Sequence, residues 1–253
     1  MLIRTPSQQA FGGDGVYNTT GAGQSRTRVI ERSGLARFYV RVENDGLVRS
    51  EFRVDGSRES SAFAVRYRLG SQNVSPQVKA GTLVLALEPG DGRTLTVEIE
   101  GRNAPPGSRR QVQVTARSTL DGDVRDRVLA EVRVPQFTAE QRRIAQLVNE
   151  SRSAAGRRPL ALHRTLRDKA QAWAQKMARD GRLSHSDLDQ GVPPGWRSLG
   201  ENVGYGVSIS QVHRGFMSSG GHRANILGNY NHLGTGYATG HGRVWIVQVF
   251  MLR

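Results

Sequence analysis

All six histidines of this 253-residue chain, His163, His185, His213, His222, His232 and His241, fall in its second half. His185 sits in the polar stretch Leu183-Ser184-His185-Ser186, where a neutral imidazole can face a cleft or simply lie on the surface. Glu201 is a lone carboxylate among glycines and apolar residues, in Leu199-Gly200-Glu201-Asn202-Val203-Gly204. Burying it requires a partner or hydrogen bonds, so catalytic and structural roles are both open. His222 follows Ser218-Ser219-Gly220-Gly221 and opens Arg223-Ala224-Asn225-Ile226-Leu227, placing it where loop meets helix. Ser219 beside it is a nucleophile only if a base aligns with it, and otherwise caps that helix. His232, in Tyr230-Asn231-His232-Leu233-Gly234, directly precedes a strand pattern and reads equally as an exposed connector.

Two chemistries suit this set. Imidazoles with one carboxylate are donors for a borderline cation such as Zn²⁺, His185 and His222 being its ligands if the fold brings them together as in the family resemblance given below. Alternatively, Glu201 acts as general base on a metal-held water, giving a peptidase or esterase. The chain has no cysteine, which excludes disulfides, thiolate zinc and a thiol nucleophile. Neither an H-E-x-x-H helix nor a G-x-S-x-G elbow is present, so the sequence leans away from an enzyme.

The elements that must position these residues follow from periodicity. Thr138-Ala139-Glu140-Gln141 is a capping-box pattern, and Ile144, Leu147 and Val148 recur at helical spacing until Gly156 and Pro159. A second helix is predicted over Thr165 to Asp180 with Leu166, Ala170, Trp173, Ala174 and Met177 on one face, Trp173 serving the core. A third begins near Ser208 with Val212 and Phe216 inward. Leu233–Ala238, a turn at Thr239-Gly240-His241-Gly242, and the nearly continuous apolar run Val244–Leu252 close the chain as paired strands. Helices first and strands last predict a layered α/β/α domain over 136–253.

Within the first domain, residues 1–135, the stretch from Ala36 to Val134 instead alternates with a period of two. Phe38, Val40 and Val42 interleave with Tyr39 and Arg41, and further runs lie at Phe52–Val54, Phe63–Tyr67, Leu83–Leu87, Leu95–Ile99, Val112–Ala116 and Val128–Val134. Asn44-Asp45-Gly46, Asp55-Gly56, Pro89-Gly90-Asp91-Gly92, Pro105-Pro106-Gly107 and Asp121-Gly122 punctuate them. About seven short strands with turns between them predict an all-β sandwich.

The formal charge of +14 divides as +5 on 1–135 (20 basic, 15 acidic residues) and +9 on 136–253 (16 basic, 7 acidic). That sign favours anionic partners such as cell-envelope polymers. The basic residues are almost all arginines, scattered and without aromatic interleaving, so no specific nucleic-acid surface is read. No stretch approaches the roughly 20 apolar residues that cross a bilayer, and the start, Met1 to Pro6, lacks the apolar core of a signal peptide.

Taken together, Asn149-x-x-Arg152, Gly156, Pro159-Leu160, Ala170-x-x-x-Ala174-x-x-Met177-Ala178, Leu183-Ser184-His185-Ser186, Gly200-Glu201-Asn202-Val203 and Gly221-His222-Arg223-Ala224-Asn225-Ile226-Leu227 with Leu233-Gly234-x-Gly236 resemble the bacterial branch of the CAP (SCP-like) superfamily, in order and spacing. The resemblance covers about Thr138 to Arg253. It implies a three-layer α/β/α sandwich with a cleft lined by His185, Glu201 and His222, with Asn202, Ser219 and His232 beside them. The second acid of the eukaryotic tetrad falls near Ser219, and His232 stands where bacterial relatives often carry Glu. The first half, through Gly13-Asp14-Gly15-Val16-Tyr17-Asn18, Phe38 to Gly46 and Leu87-Glu88-Pro89-Gly90, resembles bacterial extracellular Ig-like modules that serve as spacers. The joint expectation is a secreted or cell-surface protein whose cleft binds a cation or a small lipid or peptide ligand.

Overall fold

The computed structural model describes residues 1–253, which divide into two compact units, Met1–Gln136 and Phe137–Arg253.

The first unit contains β1 (Leu2–Arg4), β2 (Ser25–Val29), β3 (Leu35–Glu43), β4 (Ser50–Gly56), β5 (Phe63–Leu69), β6 (Gln72–Asn73), a short helix α1 (Ser75–Ala80), β7 (Leu83–Leu87), β8 (Gly92–Gly101), β9 (Arg109–Ser118) and β10 (Arg125–Arg133). They form two five-stranded sheets, in the orders β1-β3-β8-β5-β6 and β2-β10-β9-β4-β7. The inward residues of both, among them Phe38, Val97 and Ile99 from one and Val54, Val112 and Val128 from the other, join one buried core. Tyr67 is buried there with its hydroxyl donating to the Ser57 carbonyl at 2.7 Å, and burial raises its pKa.

The turn signals divide into two kinds. Asp121-Gly122 links β9 to its antiparallel neighbour β10, whereas Asn44-Asp45-Gly46 and Pro105-Pro106-Gly107 carry the chain from one sheet to the other. Asn44 is buried at the first crossing and donates to the carbonyls of Val48 and Leu87. The sequence pattern missed β1, β2, β6 and α1. β2 reads Ser-Arg-Thr-Arg-Val and pairs parallel to β10 at a sheet edge, so it offers no apolar alternation to detect.

The second unit contains α2 (Ala139–Ala154), β11 (Ala161–Leu162), α3 (Arg164–Asp180), β12 (Ser198–Gly206), α4 (Ile209–Ser218), α5 (Gly220–Leu227), β13 (His232–Gly240) and β14 (Arg243–Leu252). Its sheet has the order β11-β13-β14-β12. The α2 capping box is formed, with the Thr138 hydroxyl accepting from the Gln141 amide and the Gln141 side chain accepting from the Thr138 amide. α3 ends at Gly181, which takes the left-handed conformation at φ 63°.

Directly opposed residues in an antiparallel sheet share a face. Ile246 and Phe250 of β14, with Leu233 of β13, pack against Ile144 and Val148 of α2, Val212 and Phe216 of α4 and Ile226 of α5. Trp245, Val247, Val249 and Met251 point the other way, toward Leu166, Ala170, Ala174 and Met177 of α3. β14 is therefore covered on both faces, which explains its continuous apolar run.

On the α3 side, β13 presents Gly234 and Gly236, where an added Cβ would lie 2.2 Å from the Leu166 carbonyl carbon and 2.0 Å from the Ala170 carbonyl oxygen. α3 thus rests on bare strand backbone. On the opposite side, the buried Arg152 of α2 donates to the carbonyls of Arg158, Ile226, Gly228 and Tyr230, tying α2 to the segment after α5. Asn149 bonds both the amide and the carbonyl of Leu160.

Candidate functional site

The site gathers at β12, the outer strand of its sheet. Glu201 opposes Val249 and so faces α3, while its neighbour Asn202 opposes Gln248 and faces α4 and α5. The Glu201 carboxylate is buried and satisfied by three donors. His185 Nδ1 lies 2.8 Å and the Ser186 amide 2.9 Å from Oε1, and the Ser186 hydroxyl lies 2.6 Å from Oε2. The His185 side chain is 63% exposed against 3% for Glu201, so the carboxylate is the fixed anchor and the imidazole lies mostly in solvent. The loop bearing His185 is held by α3: the Trp173 indole N–H donates to the Ser184 carbonyl at 2.8 Å, and the Lys169 ammonium donates to the carbonyls of Asp187 and Gln190. Burial lowers the pKa of Lys169, opposed by the negative charges of Glu201, Asp187 and Asp189.

His222 approaches from the opposite face, around the free edge of β12. It lies in the first turn of α5, its ring 4.9 Å from that of Phe216 and its Nδ1 buried without a hydrogen-bond partner. Its pKa is lowered by burial first, then by the charge of His185. Behind His222, Asn202 donates to its carbonyl at 3.1 Å and to Gln248 Oε1 at 3.0 Å, while Asn225 donates to Asn202 Oδ1 at 2.9 Å.

His185 and Glu201 are thus hydrogen-bonded on the α3 side of β12, while His222 stands on its α4 and α5 side against Phe216. Asn202 is fully buried and anchors α5 rather than lining the cleft. Ser219 lies between α4 and α5 and lines a groove of about 720 Å³ that runs beside Val203, Tyr205 and Val207 and reaches Phe216 and His222. His232 stands apart from this set, with its ring edge-on to His163 at 5.3 Å and its Nδ1 2.8 Å from Asn231 Oδ1. It begins β13, two strands away from β12, so the expected third imidazole does not join the cleft.

The donor set does not fit a resident zinc. Both Glu201 oxygens are committed to His185 and Ser186, His232 is elsewhere, and no three His, Asp or Glu side chains converge. Two imidazoles fall short of the three or four protein ligands such a site uses. The same bonds hold both Glu201 oxygens against the His185 loop. What the geometry offers instead is an oriented imidazole, His185, fixed through Nδ1 by a buried carboxylate.

Sequence reasoning did not single out Lys169, Ser186 or Gln248. Ser186 was the detectable one, since a hydroxyl next to a candidate histidine is a natural second hand on the same carboxylate.

This arrangement, helices on either side of a four-stranded sheet, belongs to a domain of known type. Residues 145–250 match the cysteine-rich secretory protein family and form a CAP domain. The uncharacterized protein YkwD of Bacillus subtilis is 31% identical over 121 residues, 44% of this chain and 47% of that protein, so the chain spans about half the length of the curated relative it matches. An extracellular protein containing an SCP domain from Bacillus anthracis is similar in structure (TM-score 0.40, 18% identity, 64% of this chain and 53% of that one). So is an outer surface protein of Borrelia burgdorferi (TM-score 0.39, 17% identity, 44% and 91%).

Proposed function

We propose that this chain is an extracellular or cell-surface binding protein, in which the CAP domain holds a small, partly apolar ligand in the groove along β12. The N-terminal unit, read as an Ig-like sandwich, serves as its spacer or attachment module. The single observation carrying this reading is the groove itself: apolar walls from Val203, Val212 and Phe216, with the imidazole His222 among its lining residues. Ligand sites are typically apolar clefts of this size with a few placed polar groups. CAP-domain proteins are typically secreted or extracellular, which supports the location. The net positive charge adds anionic envelope polymers as a further class of partner, to be recognised by binding that weakens at high salt.

The test uses dansyl-undecanoic acid as a fluorescent probe on the full chain and on Gly215→Leu. Gly215 lines the groove, and an added Cβ there meets nothing within 4 Å, so the leucine fills the groove without disturbing the core. Saturable binding to the native chain that weakens about tenfold or more in Gly215→Leu supports the reading. Equal binding to both, or none to either, overturns it. Turnover of a peptide and ester panel that disappears in His185→Ala would replace binding with hydrolysis.

A further inference from the structure

β12 has a property that the groove reading leaves unused. Successive peptide groups of a strand point to opposite sides in the plane of the sheet, so alternate residues face β14 and the rest face away. The outward set is identified by its partners: the Leu199 carbonyl accepts from the Tyr230 hydroxyl and the Glu201 carbonyl from Asn225 Nδ2 at 3.1 Å. Farther along, the Val207 amide donates to Gln211 Oε1 at 2.8 Å. Between these points lie Val203 and Tyr205, whose outward N–H and C=O groups have no partner in the chain. Both residues line the groove.

We infer that the groove takes an extended peptide, which joins the sheet as a strand beside β12 and pairs with the peptide groups of Val203 and Tyr205. This rests on the binding reading above and names its ligand class. Two donor and acceptor pairs, two residues apart, match the repeat of an extended backbone and of nothing simpler. The walls suit a strand: Phe216 and Ser219 border it on the α4 and α5 side and Leu183 on the other, so its side chains would alternate between them. From Val203 to Val207 the groove accommodates a segment of about four or five residues at roughly 3.3 Å each. Arg243 is the one fully charged side chain lining it, set 4.7 Å from the Tyr205 ring centroid, so the peptide carries a carboxylate at that end.

The experiment selects a random heptapeptide phage library on the full chain, with Gly215→Leu as the counter-selecting bait, and then N-methylates each position of an enriched peptide in turn. The expected result is enrichment of peptides bearing Asp or Glu, with N-methylation weakening binding by about tenfold at alternate positions and little between them. Arg243→Ala should lose the preference for the acidic residue. Enriched peptides without the alternating pattern would overturn strand addition while leaving a peptide-binding cleft. Binding of dansyl-undecanoic acid with no peptide enriched would overturn the peptide and keep the cleft. A dimer in sedimentation that Gly215→Leu dissociates would assign the edge to a second copy of the chain and overturn the inference as well.

Discussion

Gly236→Ala tests how tightly the fold and the site are coupled. The new methyl would sit 2.0 Å from the Ala170 carbonyl oxygen, where ordinary contact begins near 3.4 Å, so α3 must retreat from β13 by the difference, about 1.4 Å. The obstructing atoms are helix backbone, which no rotamer change can move aside. Overpacking of this kind costs roughly 1–3 kcal/mol, and a clash against backbone belongs at the upper end, about 3 kcal/mol. For a unit of this size that lowers the melting temperature by about 12 °C. α3 also carries Trp173 and Lys169, which hold the His185 loop, so its displacement stretches the 2.8 Å contact between His185 and Glu201 past hydrogen-bonding range. Trp173, Trp196 and Trp245 are the only tryptophans and all lie in the second unit, so thermal unfolding of the full chain followed by tryptophan fluorescence reports that unit alone. The control is Gly215→Ala, inside α4 with open space around the new methyl, which should gain about 0.5–1 kcal/mol from helix propensity. If Gly236→Ala melts within about 2 °C of the native chain, the rigid contact between α3 and β13 is wrong.

Three further outcomes are expected. Burial lowers the pKa of His163, His213 and His222, so the unfolded chain binds more protons; stability of the second unit is complete above about pH 6.5 and falls as pH drops from there toward the folded values, seen in tryptophan-monitored urea midpoints. A midpoint that rises on acidification through that window would contradict the assignment of these groups as neutral in the fold. Arg152→Met strands the carbonyls of Ile226 and Gly228 and should cost about 3 kcal/mol in the same denaturation, whereas a loss under about 1 kcal/mol would show the tie to be dispensable. Ser186→Ala removes the 2.6 Å bond to a buried carboxylate and should cost about 2 kcal/mol, with native stability as the result that refutes Ser186 as its anchor.

The helices of the second unit were legible because local chemistry marks their ends: the Thr138 cap, the left-handed Gly181 and the Ser208 cap all stand where spacing put them. Strands with apolar alternation, such as Ala36 to Val42 and Leu95 to Ile99, were equally plain, whereas β2 and β6 owe their existence to a neighbouring edge rather than to any pattern of their own. The contact between His185 and Glu201 was suggested by family likeness and not by spacing. His185 and His222 lie over opposite faces of β12, the outer strand, and strand order is a property of the whole sheet. His232 shows the limit of reading types without topology. The right residue type began the right kind of strand, but β14 lies between that strand and β12. Asn202 shows another, since adjacency to Glu201 in a strand guarantees the opposite face.

The missing cysteines have a consequence of their own. In a domain named for its cysteines, the cross-links here are polar: one guanidinium gathering the carbonyls after α5, one amide clasping Leu160, one indole fastening the His185 loop. Such fastenings are indifferent to thiol reagents, so the chain can reach its native state equally in a reducing or an oxidising compartment and needs no isomerase to sort pairings. They also release together under denaturant, so the unit should come apart in one cooperative step, with no stapled remnant to guide its return.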